Sequence, residues 1–303
     1  MSESVRDVVR RPAPEAITIA GLAADHYRPA GEPDGPPLPD GDGRLRSGSL
    51  LRPSGAASAS APPLVIVHGA MDRAAGFRRT ARHLPFRDIV AYDRRGYAGS
   101  RDVPPVREFA TQVDDLVAVL TELIAANGER RLVVGHSAGG LIALHALARP
   151  GIEELAVGAV VWEAPLAWND WYTSRGSGLL DLAPDVAAEA FMRGVLGDRL
   201  WERLPATMQA ERRAEGRALQ ADMFNARSPE AAVDLSLITL PVVIGLGTES
   251  SEHHRRSATE AAAGIESCRL VAIEGADHGV HLSGPTAFAE LIESWPSGPE
   301  SPR

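Results

Sequence analysis

The chain has 303 residues, 44% of them hydrophobic, with a formal charge of −9 and a pI of about 5.5; there is enough apolar material for a full core, and an acidic chain with no dense basic stripe argues against a nucleic-acid partner. It contains no lysine, so lysine-dependent chemistry such as a Schiff base is excluded. Its single cysteine, Cys268, excludes an internal disulfide, and no Cys-x-x-Cys or Cys/His zinc spacing is present.

Residues 1–14 are charged and broken by proline, and no stretch reaches the ~18 consecutive apolar residues of a membrane span. A cytoplasmic protein without membrane association is expected. Residues 17–29 read as an early strand or hairpin. From Pro29 to Pro63 the chain is dense in Pro, Gly, Ser and Asp, which prevents regular structure through most of its length. This segment is read as a surface loop or insertion, with a short run at Ser49–Arg52 that could add an edge strand. A flexible interaction segment is the alternative.

From Leu64 the pattern changes. Six short apolar runs follow, at Leu64–Val67, Asp88–Tyr92, Leu132–Val134, Ala156–Trp162, Val242–Leu246 and Leu270–Ile273. Between them lie segments of helical period at Arg73–His83, Glu108–Asn127, Leu141–Arg149, Ser257–Ala263 and Pro285–Trp295. Strands alternating with helices predict an α/β fold with a mostly parallel, doubly wound sheet covered on both faces. Ligands of such sheets sit beyond the carboxyl ends of the strands. The stretch from Glu163 to Leu240 is too long for a crossover. It is rich in helix formers and carries Trp168, Trp171, Tyr172, Phe191, Met192, Trp201, Met208, Met223 and Phe224, so a helical cap over the strand ends is expected. The layout is then an N-terminal segment (1–28), the Pro/Gly/Ser-rich segment (29–63), a core in two parts (64–165 and 239–296), a helical cap (166–238) and a tail (297–303).

Gly135-His136-Ser137-Ala138-Gly139 follows an apolar strand and precedes a helix. Gly-x-Ser-x-Gly in that setting places a serine on a sharp turn, because the glycines let strand and helix pass closely. The other runs end in Val67-His68-Gly69, in Asp93-Arg94-Arg95-Gly96-Tyr97-Ala98-Gly99-Ser100, and, just beyond the last strand, in Gly275-Ala276-Asp277-His278. Taken together, these four motifs resemble the α/β-hydrolase superfamily from about Leu64 to Trp295.

That resemblance implies a Ser–His–acid triad with Ser137 as nucleophile and His278 as general base. His281 is the rival base; otherwise it lines the rim or caps the next helix. His136 is expected to turn into the sheet–helix interface, and His253 and His254 to be solvated. The oxyanion donors implied are the backbone N–H groups of Ala138 and Ala70, with Met71 the alternative to Ala70. In most relatives the acid is an Asp three residues after the glycine ending the penultimate strand. Here that stretch reads Gly247-Thr248-Glu249-Ser250, so a serine holds the place. Glu163, after the previous strand in Trp162-Glu163-Ala164-Pro165, is favoured; Glu249 is the alternative and Asp277 ranks third. Asp93 is expected to brace its loop.

The function expected is a serine hydrolase cleaving an ester or related acyl bond of a small, largely apolar molecule through an acyl-enzyme. Met71, Trp168 and Trp171 are the candidate substrate-binding residues, and neither a metal nor an organic cofactor is required. Ser137 sets aside the dehalogenase and epoxide hydrolase branches, whose nucleophile is Asp. Lactonase, thioesterase, amidase, carbon–carbon bond hydrolase and perhydrolase chemistry remain open, as does a non-catalytic small-molecule-binding member of the superfamily. The oligomeric state is open too.

Overall fold

The computed structural model describes residues 11–30, 61–172 and 175–296. Most of the Pro29–Pro63 segment, including Ser49–Arg52, and the tail at 297–303 lie outside the described residues. Eight strands form one sheet: β1 (Glu15–Ile19), β2 (Leu22–Tyr27), β3 (Leu64–Val67), β4 (Ile89–Tyr92), β5 (Arg131–His136), β6 (Ala156–Trp162), β7 (Val242–Gly247) and β8 (Cys268–Ile273). Their order is β1-β2-β4-β3-β5-β6-β7-β8. β1 and β2 form an antiparallel hairpin across Ala20-Gly21, both with positive φ (49° and 76°), the conformation a tight hairpin turn demands. β2 is antiparallel to β4, and all remaining pairs are parallel.

The helices are α1 (Arg78–Arg82), α2 (Phe109–Asn127), α3 (Ala138–Leu147), α4 (Pro184–Leu196), α5 (Asp198–Trp201), α6 (Ala206–Ala214), α7 (Gly216–Asn225), α8 (Glu252–Gly264), α9 (Val280–Ser283) and α10 (Pro285–Glu293). Alternate strand residues feed two apolar layers. Val65, Val67, Val133, Val161 and Ile244 meet α2, α3 and α8 on one face. Leu64, Ile66, Leu132, Val134 and Val160 meet α1 and α10 on the other. Both faces are therefore dry, which is why the strands read as unbroken apolar runs.

Some boundaries differ from the sequence reading. The segment expected to be helical over 73–83 is a 3₁₀ turn, 74–77, followed by α1. α3 begins at Ala138 rather than Leu141, and α8 at Glu252 rather than Ser257, because polar and glycine-rich first turns carry no apolar period. β8 is an edge strand with half-exposed side chains. Its Cys268 is half-buried, and burial pushes the thiol up to about 11.

Between β6 and β7 the chain builds α4 to α7. Ala187, Ala188, Met192, Trp201, Ala218 and Leu219 form their own apolar core, joined by Met71 and Tyr97 from the sheet side. Trp201 and Met192 thus fill the insertion itself, so they are no measure of an apolar substrate pocket. No helix among the described residues is long and apolar enough to cross a membrane.

Candidate active site

Ser137 joins the end of β5 to the start of α3 with φ 54° and ψ −121°, a conformation that side chains rarely tolerate. Its neighbours enforce it. A Cβ at Gly135 would lie 2.6 Å from the Gly140 Cα, and one at Gly139 would collide with the Val67 carbonyl. Only glycine lets α3 close onto β5 and β3. The Ser137 N–H donates to the Trp162 carbonyl at 2.8 Å, and the Ser137 carbonyl accepts from Gly140 N–H at 2.8 Å. The residue remains partly exposed at the carboxyl end of the sheet, at the positive end of α3.

Glu163 directly follows β6. It is fully buried and also has positive φ, 45°. A buried carboxylate needs partners, and it has two. Oε1 accepts the Gly247 N–H at 2.8 Å, and Oε2 accepts from His278 Nδ1 at 2.7 Å. Because Nδ1 donates, Nε2 of His278 carries the lone pair. The His278 carbonyl accepts from His136 Nε2 at 2.7 Å and from Trp162 Nε1 at 3.2 Å. This fastens the His278 loop to the residue preceding Ser137.

Glu249 is exposed; its N–H donates to the Ala276 carbonyl at 2.9 Å, and its carboxylate makes no hydrogen bond among the described residues. Ser250, at the usual place of the acid, is buried with an unpartnered Oγ. Asp277 Oδ1 accepts from Gly279 N–H at 2.9 Å and Ser283 Oγ at 3.1 Å, so it braces the start of α9.

Two histidines sit elsewhere than expected. His254, read as solvated, lies flat on His278, with ring centroids 3.8 Å apart and planes 6° from parallel. Ser251 Oγ lies 3.0 Å from its Nδ1. Burial, then the charges of His278, His253 and His136, push its pKa far below the usual imidazole range, so it stays neutral. His281, expected at the rim or as a helix cap, is buried. It stacks on Phe77 at 4.8 Å, with Nε2 3.0 Å from Asp72 Oδ2. Linear spacing holds no signal for either position. His136 is buried as expected, and burial followed by the nearby His281 and His278 holds it far below the usual range.

The backbone N–H groups of Ala70 and Ala138 donate to no protein acceptor among the described residues. A Cβ at Gly69 would lie 3.1 Å from the Ser137 Cβ, so the Ala70 loop runs directly against the serine. Met71 is buried in the apolar core of the insertion, with φ 56°. A buried arginine holds this loop. Arg94 Nε donates to the His68 carbonyl at 2.9 Å and Nη2 to the Gly69 carbonyl at 3.1 Å. Its guanidinium also pairs bidentately with Asp222 of α7, at 2.7 and 3.0 Å. Gln112 and the Tyr97 hydroxyl complete the network. Burial and the Arg94 cation push His68 down to about 3, leaving it neutral. The first signal for Arg94 is in the Asp-Arg-Arg-Gly motif; nothing in the sequence pairs it with Asp222. Asp93 braces its loop through the N–H groups of Ala74 and Gly99, at 2.8 and 3.0 Å.

Trp168 is half-buried against the core layer, and the Trp171 ring is covered by Arg256 at 4.2 Å. Ring contacts run from Trp171 through Tyr172, His253 and His254 to His278.

Among solved structures, the chain is similar to the enol-lactonase from Burkholderia xenovorans, with 16% identity, TM-score 0.63, and coverage of 92% of this chain and 98% of that one. It is similar to a meta-cleavage product hydrolase from Pseudomonas fluorescens, with 16% identity, TM-score 0.62, and coverage of 93% and 97%. An α/β hydrolase from Sphaerobacter thermophilus is 23% identical, with TM-score 0.59 and coverage of 92% and 100%. None of the curated proteins matches the chain. The profile of the alpha/beta hydrolase family matches residues 64–291, three quarters of the chain, and on that match the chain belongs to this family.

Proposed function

We propose that this protein is a serine hydrolase that cleaves an ester or lactone bond of a small molecule through an acyl-enzyme, with Ser137 as nucleophile, His278 as base and Glu163 as acid. The observation that carries the reading is the 2.7 Å hydrogen bond from His278 Nδ1 to buried Glu163, which leaves Nε2 free to take a proton. In this scheme His278 Nε2 removes the Ser137 hydroxyl proton as Oγ attacks the carbonyl carbon. The N–H groups of Ala70 and Ala138 hold the oxyanion, each worth ~3 kcal/mol by the usual cost of losing such a donor. The imidazolium formed is stabilised by Glu163, and neutral His254 stacks on its face without adding charge. The proton then passes to the leaving oxygen. Water, deprotonated by the same nitrogen, releases the acid and restores Ser137.

Lactones are included as substrates because the solved structures similar to this chain include an enol-lactonase and an N-acyl homoserine lactone degrading enzyme. Turnover of p-nitrophenyl esters two to twelve carbons long, together with a lactone series, tests the reading. Wild type is expected to turn over at least one series and Ser137→Ala none. Equal turnover by both would rule out the assignment of Ser137.

A further inference from the structure

At the residue preceding Ser137, three segments bring buried ligand atoms together. His136 ends β5, Asp72 lies in the loop after β3, and His281 lies on α9. One ligand atom from each falls within 4.8 Å of the others. His136 and His281 are 5% and 3% exposed. Asp72 Oδ2, His136 Nδ1 and both ring nitrogens of His281 are buried without a well-formed hydrogen bond.

The tautomer of His136 is decisive. Its Nε2 donates to the His278 carbonyl, so Nδ1 presents a lone pair rather than a proton. Buried lone pairs without a donor are costly. A proton shared between His281 and Asp72 would satisfy that pair, 3.0 Å apart, but would leave His136 Nδ1 unanswered. A cation would take one ligand atom from each of the three residues, His136 Nδ1 included. Ligand atoms of a tetrahedral zinc ion, at about 2.0–2.1 Å from the metal, stand roughly 3.3 Å from one another; His281 Nε2 and Asp72 Oδ2 are 3.0 Å apart, and all three ligand atoms fall within 4.8 Å. Glycines keep the space open: a Cβ at Gly69 would lie 2.9 Å from His136 Nδ1, and one at Gly76 would collide with Asp72 Oδ1. The Asp72 side chain, 16% exposed, gives the cluster its contact with solvent.

We propose that His136, His281 and Asp72 form a binding site for a zinc-type divalent cation that ties together the loop after β3, the nucleophile turn and the His278 loop. Two imidazoles and one carboxylate suit Zn²⁺ rather than Mg²⁺ or Ca²⁺. The site is structural: no step of hydrolysis passes through it, and it rests on no assumption about the reaction. It escapes a spacing search because its ligands lie 64 and 145 residues apart along the chain (72 to 136, 136 to 281).

A second trio, Glu163, His254 and His278, also places ligand atoms within 4.8 Å, and the test separates the two. Full-length protein stripped with a chelator is titrated with ZnCl₂ by calorimetry, with melting followed in parallel. The variants are Asp72→Asn, His281→Phe, which keeps the stack on Phe77, and His254→Ala. Loss of a group behind a metal ligand already weakens binding roughly 10–100-fold, so loss of a ligand should weaken it about a hundredfold or more. The expected result is one equivalent bound by wild type, with a raised melting temperature. That binding should be retained in His254→Ala and weakened in Asp72→Asn and His281→Phe. Should His281→Phe fail to fold, the near-isosteric Asp72→Asn decides. Three outcomes overturn the proposal: no binding by wild type, leaving an ion pair only; binding unchanged by Asp72→Asn; or binding abolished by His254→Ala.

Discussion

Glu163 and His254 illustrate what a linear reading captures at the scale of single residues. Glu163 stood out because an acidic residue directly after an apolar strand requires a partner, and its two partners, Gly247 N–H and His278 Nδ1, come from other strand ends. His254 and His281 were illegible because their surroundings are made by segments far apart in sequence: β8 lays His278 under His254, and the loop after β3 brings Asp72 to His281. The triad assignment makes a sharp expectation at this scale. Glu163→Gln should lower kcat by about 10³–10⁴-fold, since the amide no longer holds the imidazole tautomer or its cation. Glu249→Gln, at an exposed carboxylate, should leave kcat nearly unchanged. Steady-state kinetics on whichever ester or lactone proves a substrate checks both, and the reverse ranking would refute Glu163.

At the scale of elements, the strands were legible because a sheet buried on both faces requires continuous apolar runs. Helix starts were not, because Gly139-Gly140 in α3 and Glu252–Arg256 in α8 carry no apolar period. The turn at Ser137 depends on close passage of α3. Gly139→Ala should destabilise the protein by about 1–3 kcal/mol or more as the added methyl meets the Val67 carbonyl, and should reduce turnover by shifting Ser137. Thermal melting and activity measured together would show it; an unchanged melt would contradict the packing. α7 is joined to the His68–Gly69 loop by the pair Arg94–Asp222, whose side chains are 2% and 3% exposed. Removing one partner of such a pair leaves a buried charge and costs about 3–5 kcal/mol, which is the loss expected for Asp222→Ala.

The same pair sets an acid limit. Burial opposes the Asp222 charge, but Arg94 and the hydrogen bonds from Arg94, Gln112 and Tyr97 outweigh it and hold the carboxyl below its usual value. A carboxyl lowered on folding stabilises the protein fully above its unfolded pKa of ~3.9. That stabilisation is lost as the pH falls through the lower folded value. Stability of Asp222→Asn should therefore be lower than wild type at neutral pH and converge toward it under acid. Denaturant titrations across that range would reveal parallel curves if the linkage were absent.

For the whole molecule, the fold places four strand ends in one neighbourhood: β3 is followed by Gly69–Asp72, β5 by Ser137 after His136, β6 by Glu163, and β8 by the loop carrying His278 and by α9 with His281. The order of motifs along the chain was enough to anticipate this convergence, since parallel strands put all their carboxyl ends on one edge. The insertion between β6 and β7 was legible only as a long helical stretch. Its aromatic and Met residues split between its own core, as with Trp201 and Met192, and exposed positions such as Met208 and Phe224. That partition depends on how α4 to α7 pack together and is invisible to composition.

The most direct test of the central claim is covalent labelling by a fluorophosphonate, with the adduct located by peptide mass spectrometry in wild type, Ser137→Ala and Glu163→Gln. The expected result is a single adduct on Ser137 in wild type, none in Ser137→Ala, and strongly slowed labelling in Glu163→Gln. Folded wild type that fails to react at Ser137 would contradict the hydrolase reading and leave a protein that binds its small molecule without cleaving it.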